Sequence, residues 1–291
     1  MADSSPTAVV IAGMHRSGTS FVASVLQAAG LPVGDRLLTD FPGNPRGHFE
    51  DVDFFTLHEE VLASRPEGSF VTTGDSLAFD DAQRARAAAL VAARSGLPVW
   101  GFKDPRTTLF LDEWHGLLPG PRYLFVYRHP LEVLASILRR GINRDVLAVP
   151  ELGLRVWRAY NERVLAFWRA HRAQCLLASI DAITADVAGF VARAGRDLGL
   201  PLDPARTAEL FHADELQRLP LGPEVARVLA ILDPETAATL ARLDAEADLP
   251  PPAPPAPRDA GLARVGVAAA AAELPGAPAL ACLLAALAPD V

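Results

Sequence analysis

The chain has 291 residues, 50% hydrophobic and 21% charged, with a formal net charge of −8. That is the composition of a globular protein with a sizeable core, and the acidic balance excludes the basic footprint of a nucleic-acid binder. Two cysteines, Cys175 and Cys282, exclude a disulfide framework. With no signal-peptide pattern and no apolar run of about 18 residues, a soluble cytoplasmic protein without a membrane span is expected.

The first element is a short apolar run, Val9 to Ala12, suited to a buried strand of a parallel sheet. Gly13 breaks it. From Gly18 the residues Phe21, Val22, Val25, Leu26 and Ala29 recur on one helical face, and Gly30 stands where a left-handed cap belongs. Strand, glycine-bounded loop and helix make a phosphate-binding layout, in which loop amides and the positive helix end form an anion seat. The loop Gly13-Met14-His15-Arg16-Ser17-Gly18-Thr19-Ser20 fits the nucleotide-hydrolase pattern G-x-x-x-x-G-K-[ST] except at Thr19, where the lysine belongs. Its cation is Arg16, inside the loop, which suits an anion smaller than a triphosphate. A tight turn without a ligand is the other reading.

Leu31 to Gly47 is rich in proline and glycine and reads as a long loop, a candidate lid. After His48-Phe49-Glu50-Asp51 a helix runs to about Ser64, with Asp51 placed to cap it. Asp80 to Arg94 reads as an amphipathic helix with Arg84, Arg86 and Arg94 outward. A strand follows at Val99–Phe102, with Lys103-Asp104-Pro105-Arg106-Thr107-Thr108 as its exit. The third strand, Arg122–Tyr127, leads through Arg128-His129-Pro130 into a helix, proline being welcome in a first turn. A long helix spans Glu151–Arg172, with Trp157, Tyr160, Val164, Phe167 and Trp168 spaced as core. A fourth strand, Cys175–Ala178, precedes a helix over Asp181–Leu198, and helical turns continue to about Asp248.

Six of the nine residues from Pro250 to Arg258 are proline, a stiff linker at 250–258 between a main domain, 1–249, and an alanine-rich tail, 259–291. Alternating strands and helices indicate an α/β three-layer fold with a central, mainly parallel sheet. Ligands bind at the carboxyl ends of such strands. Three cationic strand exits there, in an acidic chain, point to a multiply anionic ligand.

The segments Gly13–Ser20, Gly47-His48-Phe49-Glu50, Lys103-Asp104-Pro105-Arg106 and Arg128-His129-Pro130 with Ser136 together resemble the bacterial sulfotransferase family. There is a distant likeness to tyrosylprotein and heparan sulfate enzymes. The resemblance spans residues 8 to 245. It implies a P-loop-containing fold, 3′-phosphoadenosine 5′-phosphosulfate (PAPS) as donor, and its 3′,5′-bisphosphate (PAP) as product. It also implies no metal, and a small-molecule, carbohydrate or carrier-bound acceptor. By the same match Arg16, Ser17, Gly18, Thr19 and Ser20, with His15 beside them, hold the 5′-phosphosulfate, and Arg128 and Ser136 hold the 3′-phosphate. Glu50 is the expected base, with His48 as rival. Lys103 and Arg16 are the expected stabilisers of leaving charge, unless Lys103 merely pairs with Asp104. Many relatives carry Tyr-Glu-Asp after the fourth strand, where this chain has Ser179-Ile180-Asp181. A P-loop kinase and a non-catalytic nucleotide-binding protein are the competing readings.

Overall fold

The computed structural model describes residues 6–38, 47–141, 143–207, 219, 221 and 223–253. Four strands, β1 (Thr7–Ala12), β2 (Val99–Lys103), β3 (Arg122–Tyr127) and β4 (Cys175–Ser179), lie in the order β2-β1-β3-β4, and every pairing is parallel. The described helices are α1 (Thr19–Ala28), α2 (Val52–Leu62), α3 (Asp81–Ala92), α4 (Leu111–Leu117), α5 (Pro130–Arg140), α6 (Arg144–Ala148), α7 (Pro150–Ala170), α8 (Ile180–Ala185), α9 (Val187–Leu198), α10 (Pro223–Leu232) and α11 (Pro234–Glu246).

The strands are nearly all apolar because both sheet faces are covered. Val9, Ile11, Leu124, Val126 and Leu176 pack with Val22, Val25 and Leu26 of α1 and with Phe190 and Val191 of α9. Val10, Trp100, Phe102, Tyr123 and Phe125 turn the other way, towards Phe54, Trp114 and Trp157. The result is the expected three-layer α/β architecture. The aromatic stripe of α7 is core as expected: Trp157, Tyr160, Val164, Phe167 and Trp168 are all buried.

Both sheet edges are covered by single bridges, which removes exposed strand amides. At the β2 edge Val33 bridges Gly101: the Gly34 N–H donates to the Gly101 carbonyl at 2.9 Å, and the Gly101 N–H donates to the Pro32 carbonyl at 2.8 Å. Part of the expected loop is therefore sheet edge, and the rest of it, residues 39–46, lies outside the described residues. At the β4 edge the Ser179 N–H donates to the Leu249 carbonyl, 2.9 Å. The proline run starts at the next residue. The expectations for the tail, 259–291, fall outside the described residues.

Two expectations need correction. The helix expected over Asp181–Leu198 is two helices, α8 and α9. They break at Asp186, whose carboxylate leaves the helix to accept the Gly189 N–H at 2.8 Å and cap α9. Arg94 does not point outward. It is buried just past α3, where it donates to the Asp51 carboxylate at 3.1 Å and meets Asp35 at 2.8 Å. Its guanidinium also lies over the rings of Phe54 and Trp100. Periodicity alone placed it on a polar face, but a buried carboxylate at Asp51 needs a cation. Asp51 in turn caps α2 by accepting the Asp53 N–H at 2.9 Å. Arg94 thus fixes the start of α2 and the residue just before it, Glu50.

Removing one partner of a buried ion pair costs about 3–5 kcal/mol because the other charge is left uncompensated. Arg94→Ala should therefore lower the free energy of urea-induced unfolding by about that amount, and Arg94→Lys by less. A loss below about 1 kcal/mol, the scale of an exposed pair, would contradict this placement.

Candidate active site

The exits of β1, β2 and β3 lie together at the carboxyl end of the sheet. The chain leaves β1 for β2 on one side, while β3 lies on the other, so the β1 exit is the switch point where such folds bind ligands. The loop from Gly13 to Gly18 is shaped by two glycines that nothing else can replace. At Gly13 (φ +147°) a Cβ would stand 2.2 Å from the Val126 carbonyl oxygen, and at Gly18 (φ +96°) 2.6 Å from Ile180 Cδ1. Arg16 itself adopts a left-handed conformation, φ +69°, a strain that clusters at functional loops. The Gly13 N–H donates to Thr108 Oγ1 at 3.1 Å, joining the loop to the β2 exit.

Helix α1 begins at this loop with no side-chain cap and no acidic residue in its first turn. Its leading amides and the positive end of its dipole are thus left for another acceptor. Two buried polar atoms of the loop, Ser17 Oγ and His15 Nε2, have no hydrogen-bond partner. A buried polar group left unmade is costly, so both fit a site that takes a polar ligand.

On the β3 side the charge is strongly positive. Arg16 Nε donates to Ser136 Oγ at 3.0 Å, and Arg128 Nη1 donates to the Arg16 carbonyl at 3.4 Å. Burial, helped by the nearby Arg140, Arg128 and Arg139, pushes the Arg16 guanidinium down to about 10. Arg139 and Arg140 occupy the last turn of α5, where cations are favoured. Arg128 is neither a free fork nor half of a surface pair. It is buried and donates to Glu132, one turn on, at 2.8 Å, and Glu132 also accepts the Leu219 N–H at 2.9 Å.

On the β2 side opposite charges interlock. Lys103 Nζ, buried at the end of β2, donates to Glu50 Oε1 at 2.7 Å, and Arg106 Nη1 stands 3.3 Å from Glu50 Oε2. The expected alternative, a Lys103–Asp104 pair, gives way to this one. Asp104 accepts instead from the Arg106 guanidinium at 2.9 Å and pairs with His58 Nδ1 at 2.8 Å, while His58 Nε2 accepts the Trp114 indole N–H at 2.9 Å. Burial works to raise the Asp104 pKa, but Arg106 and His58 outweigh it and hold the carboxyl well below the usual range. Burial lowers Lys103, and Glu50 pulls partly against it. Arg106 also pairs with Glu59 and lies over the Phe55 ring, 4.6 Å from its centroid.

The segment carrying His48 and Glu50 is brought to α1 by Ser20, whose hydroxyl donates to the His48 carbonyl at 3.1 Å. Glu50 precedes the cap Asp51, so it is not a first-turn helix acid. His48 is half-buried and lowered, mainly by burial, with Glu50, Lys103, Arg140 and Arg16 in its field. His15 lies between the two charge zones: burial, with Arg106, Lys103 and Arg16 nearby, pushes it down to about 3. The structure therefore gathers every residue singled out from the sequence: His15, Arg16, Ser17, Gly18, Thr19, Ser20, His48, Glu50, Lys103, Arg128 and Ser136.

Sequence reasoning gave no role to Arg106, Glu132 or His58. Arg106 stands in the Lys103-Asp104-Pro105-Arg106 motif, and Glu132 is one helical turn beyond Arg128, so both carried a signal. His58 carried none, since its partner is 46 positions away.

Residues 6–204 match the model of the sulfotransferase family, and the chain belongs to that family. It is an enzyme of sulfo-group transfer. Among solved structures it is similar to a sulfotransferase from Mycobacterium avium, at 16% identity over 86% of this chain and 79% of the other, with a TM-score of 0.50. A sulfotransferase from Alicyclobacillus acidocaldarius matches at 18% identity over 81% and 94% of the two chains, TM-score 0.45. The sulfotransferase domain of the curacin biosynthetic pathway matches at 15% identity over 72% and 80%, TM-score 0.48. Among curated protein sequences none matches. Among the described residues no helix is long and apolar enough to cross a membrane.

The site sets a pH dependence. His15 and His129 fall from the ordinary 6.5 to about 3 and about 4, chiefly by burial. The unfolded chain then binds more protons than the folded one between those values. Stability is fully present above about pH 6.5 and is lost as pH falls towards 4 and then 3. His129→Asn keeps an acceptor for the Leu131 N–H, which His129 Nδ1 now holds at 3.3 Å. It should flatten the slope of unfolding free energy against pH in this window by up to about 1.4 kcal/mol per pH unit. An unchanged slope in urea titrations would contradict the assignment.

Proposed function

We propose that the chain moves the sulfo group of PAPS to a hydroxyl, or amine, of an acceptor and releases PAP. The observation that carries this reading is the cation cluster of Arg16, Arg128, Arg139 and Arg140 beside an uncapped helix start, facing the Glu50–Lys103 pair across one loop. Cations gathered beside a helix start favour an anion, and a nucleotide with phosphates at both ends would supply two. The 5′-phosphosulfate would lie on the amides of Ser17, Gly18, Thr19 and Ser20, with the Ser17 hydroxyl supplying a donor. The 3′-phosphate would meet Arg128 and Ser136. Ser136 now accepts from Arg16, so the two ends of the donor would share one hydrogen-bond network.

In the transfer, the acceptor oxygen forms a bond to sulfur while the bond from sulfur to the bridging phosphate oxygen breaks. The acceptor proton goes to Glu50, and the new charge on the bridging oxygen is taken by Lys103 and Arg16. Glu50 now has a cation on each oxygen, so a substrate proton competes with Lys103 and Arg106 for it. An arriving sulfo group offers Lys103 a second anion, and the release of Glu50 is thereby tied to donor binding. All charge handling in this scheme is done by side chains, without a metal. Thr19 in place of the P-loop lysine, together with the family match, sets the kinase reading aside.

Calorimetry should show PAP binding more tightly than adenosine 5′-phosphate by about 1.5–3 kcal/mol, the weight of one charge-assisted contact. Equal affinities would refute the 3′-phosphate site. Glu50→Gln should lower turnover by about 10²–10⁴ with PAP affinity nearly unchanged, and His48→Asn should be milder. The reverse order would make His48 the base.

A further inference from the structure

A cavity of about 680 Å³ opens beside Arg106. One wall is the face of α2 with Phe55, Thr56 and Leu62, and the other is the loop ending at Ser69 and Phe70. It touches the catalytic cluster twice. Arg106 lines it and contacts Glu50, and Phe70 stacks on His15 with ring centroids 6.1 Å apart. The loop wall is pinned from α7: the Tyr160 hydroxyl donates to the Ser69 carbonyl at 2.7 Å, and Arg163 donates to the carbonyls of Thr73 and Asp75.

We propose that this cavity is the acceptor chamber and that it takes an uncharged, hydroxylated ring compound. The inference rests on the sulfotransfer reading above. The volume falls within the range for a small molecule, about 300–1,000 Å³, and is too small to seat a polymer along its length. The walls offer aromatic and aliphatic faces from Phe55, Leu62 and Phe70 to a ring, and Thr56 and Asn143 offer hydrogen bonds. The acids along it are each already paired with an arginine. Glu59 pairs with Arg106, Glu60 with Arg86 and Glu67 with Arg65. A polyanionic glycan needs a run of cations not already matched, and a cationic acceptor needs the converse. Neither finds an unmatched run of opposite charge along these walls. An uncharged alcohol loses little, and its hydroxyl can approach Glu50 past the Arg106 guanidinium.

The test uses the full chain with PAPS and three uncharged probes: naphthol, tert-butylphenol and cyclohexylmethanol. An N-sulfated heparosan oligosaccharide serves as the polyanionic contrast. The proposal expects PAP release above the slow background hydrolysis of PAPS with at least one uncharged probe and none with the oligosaccharide. Ala63→Trp puts an indole into the cavity from the exposed end of α2, away from the cluster. It should raise the KM for the active probe on the order of tenfold while leaving PAP affinity and background PAPS hydrolysis unchanged. Transfer to the oligosaccharide alone, no transfer to any uncharged probe, or a KM unmoved by Ala63→Trp would overturn the assignment of the chamber. Loss of PAP binding in the unsubstituted chain would instead overturn the donor reading on which it rests.

Discussion

The site depends on one buried carboxylate. Glu50 holds Lys103 at 2.7 Å and Arg106 at 3.3 Å, and these partners lie more than fifty positions along the chain from it. Little water reaches this cluster, so each charge is tolerable only while its partners stay in place. The fold supplies that constraint in steps. Arg94 fixes Asp51, Asp51 starts α2, and Ser20 holds the segment at His48 against α1. Lys103 is at its station because its strand is in register with β1, Ile11 lying opposite it. A shift in any of these would move the carboxylate away from the anion seat.

Around that point the charge is divided. Towards β3 arginines gather beside the Arg128–Glu132 pair, and towards β2 cations and carboxylates alternate. The first zone is suited to gripping a multiply charged donor. The second is suited to proton and charge movement, because its ion pairs can exchange partners without leaving any group bare. His15 lies between the two and is held neutral at neutral pH by burial and surrounding cations. A neutral imidazole there can accept or donate one hydrogen bond without adding a further positive charge.

Much of this was legible in the sequence because it is local. The β1 strand, the glycine-bounded loop and α1 follow from periodicity and two glycines. The three cationic exits follow from their place after strands, and Asp51 as a cap follows from its position before an apolar helix. What was not legible was pairing across the fold. Lys103 was expected to stabilise leaving charge, with a pair to its neighbour Asp104 as the alternative, and neither reading named Glu50; adjacent side chains leave the chain in opposite directions, so Asp104 reached His58 and Lys103 reached Glu50. Arg94 read as surface because nothing in α3 announces a carboxylate 43 positions earlier. The break at Asp186 was hidden because aspartate is an ordinary helix-surface residue until its side chain captures a backbone amide.

The most direct measurement is a crystal structure of the chain with PAP. The account predicts the 5′-phosphate on the amides of Ser17 to Ser20, the 3′-phosphate within hydrogen-bond reach of Arg128 and Ser136, and the Arg16–Ser136 bond loosened or shared with the ligand. A nucleotide bound away from the β1 exit, or bound there with its 3′-phosphate in solvent and the Arg16–Ser136 bond intact, would contradict it.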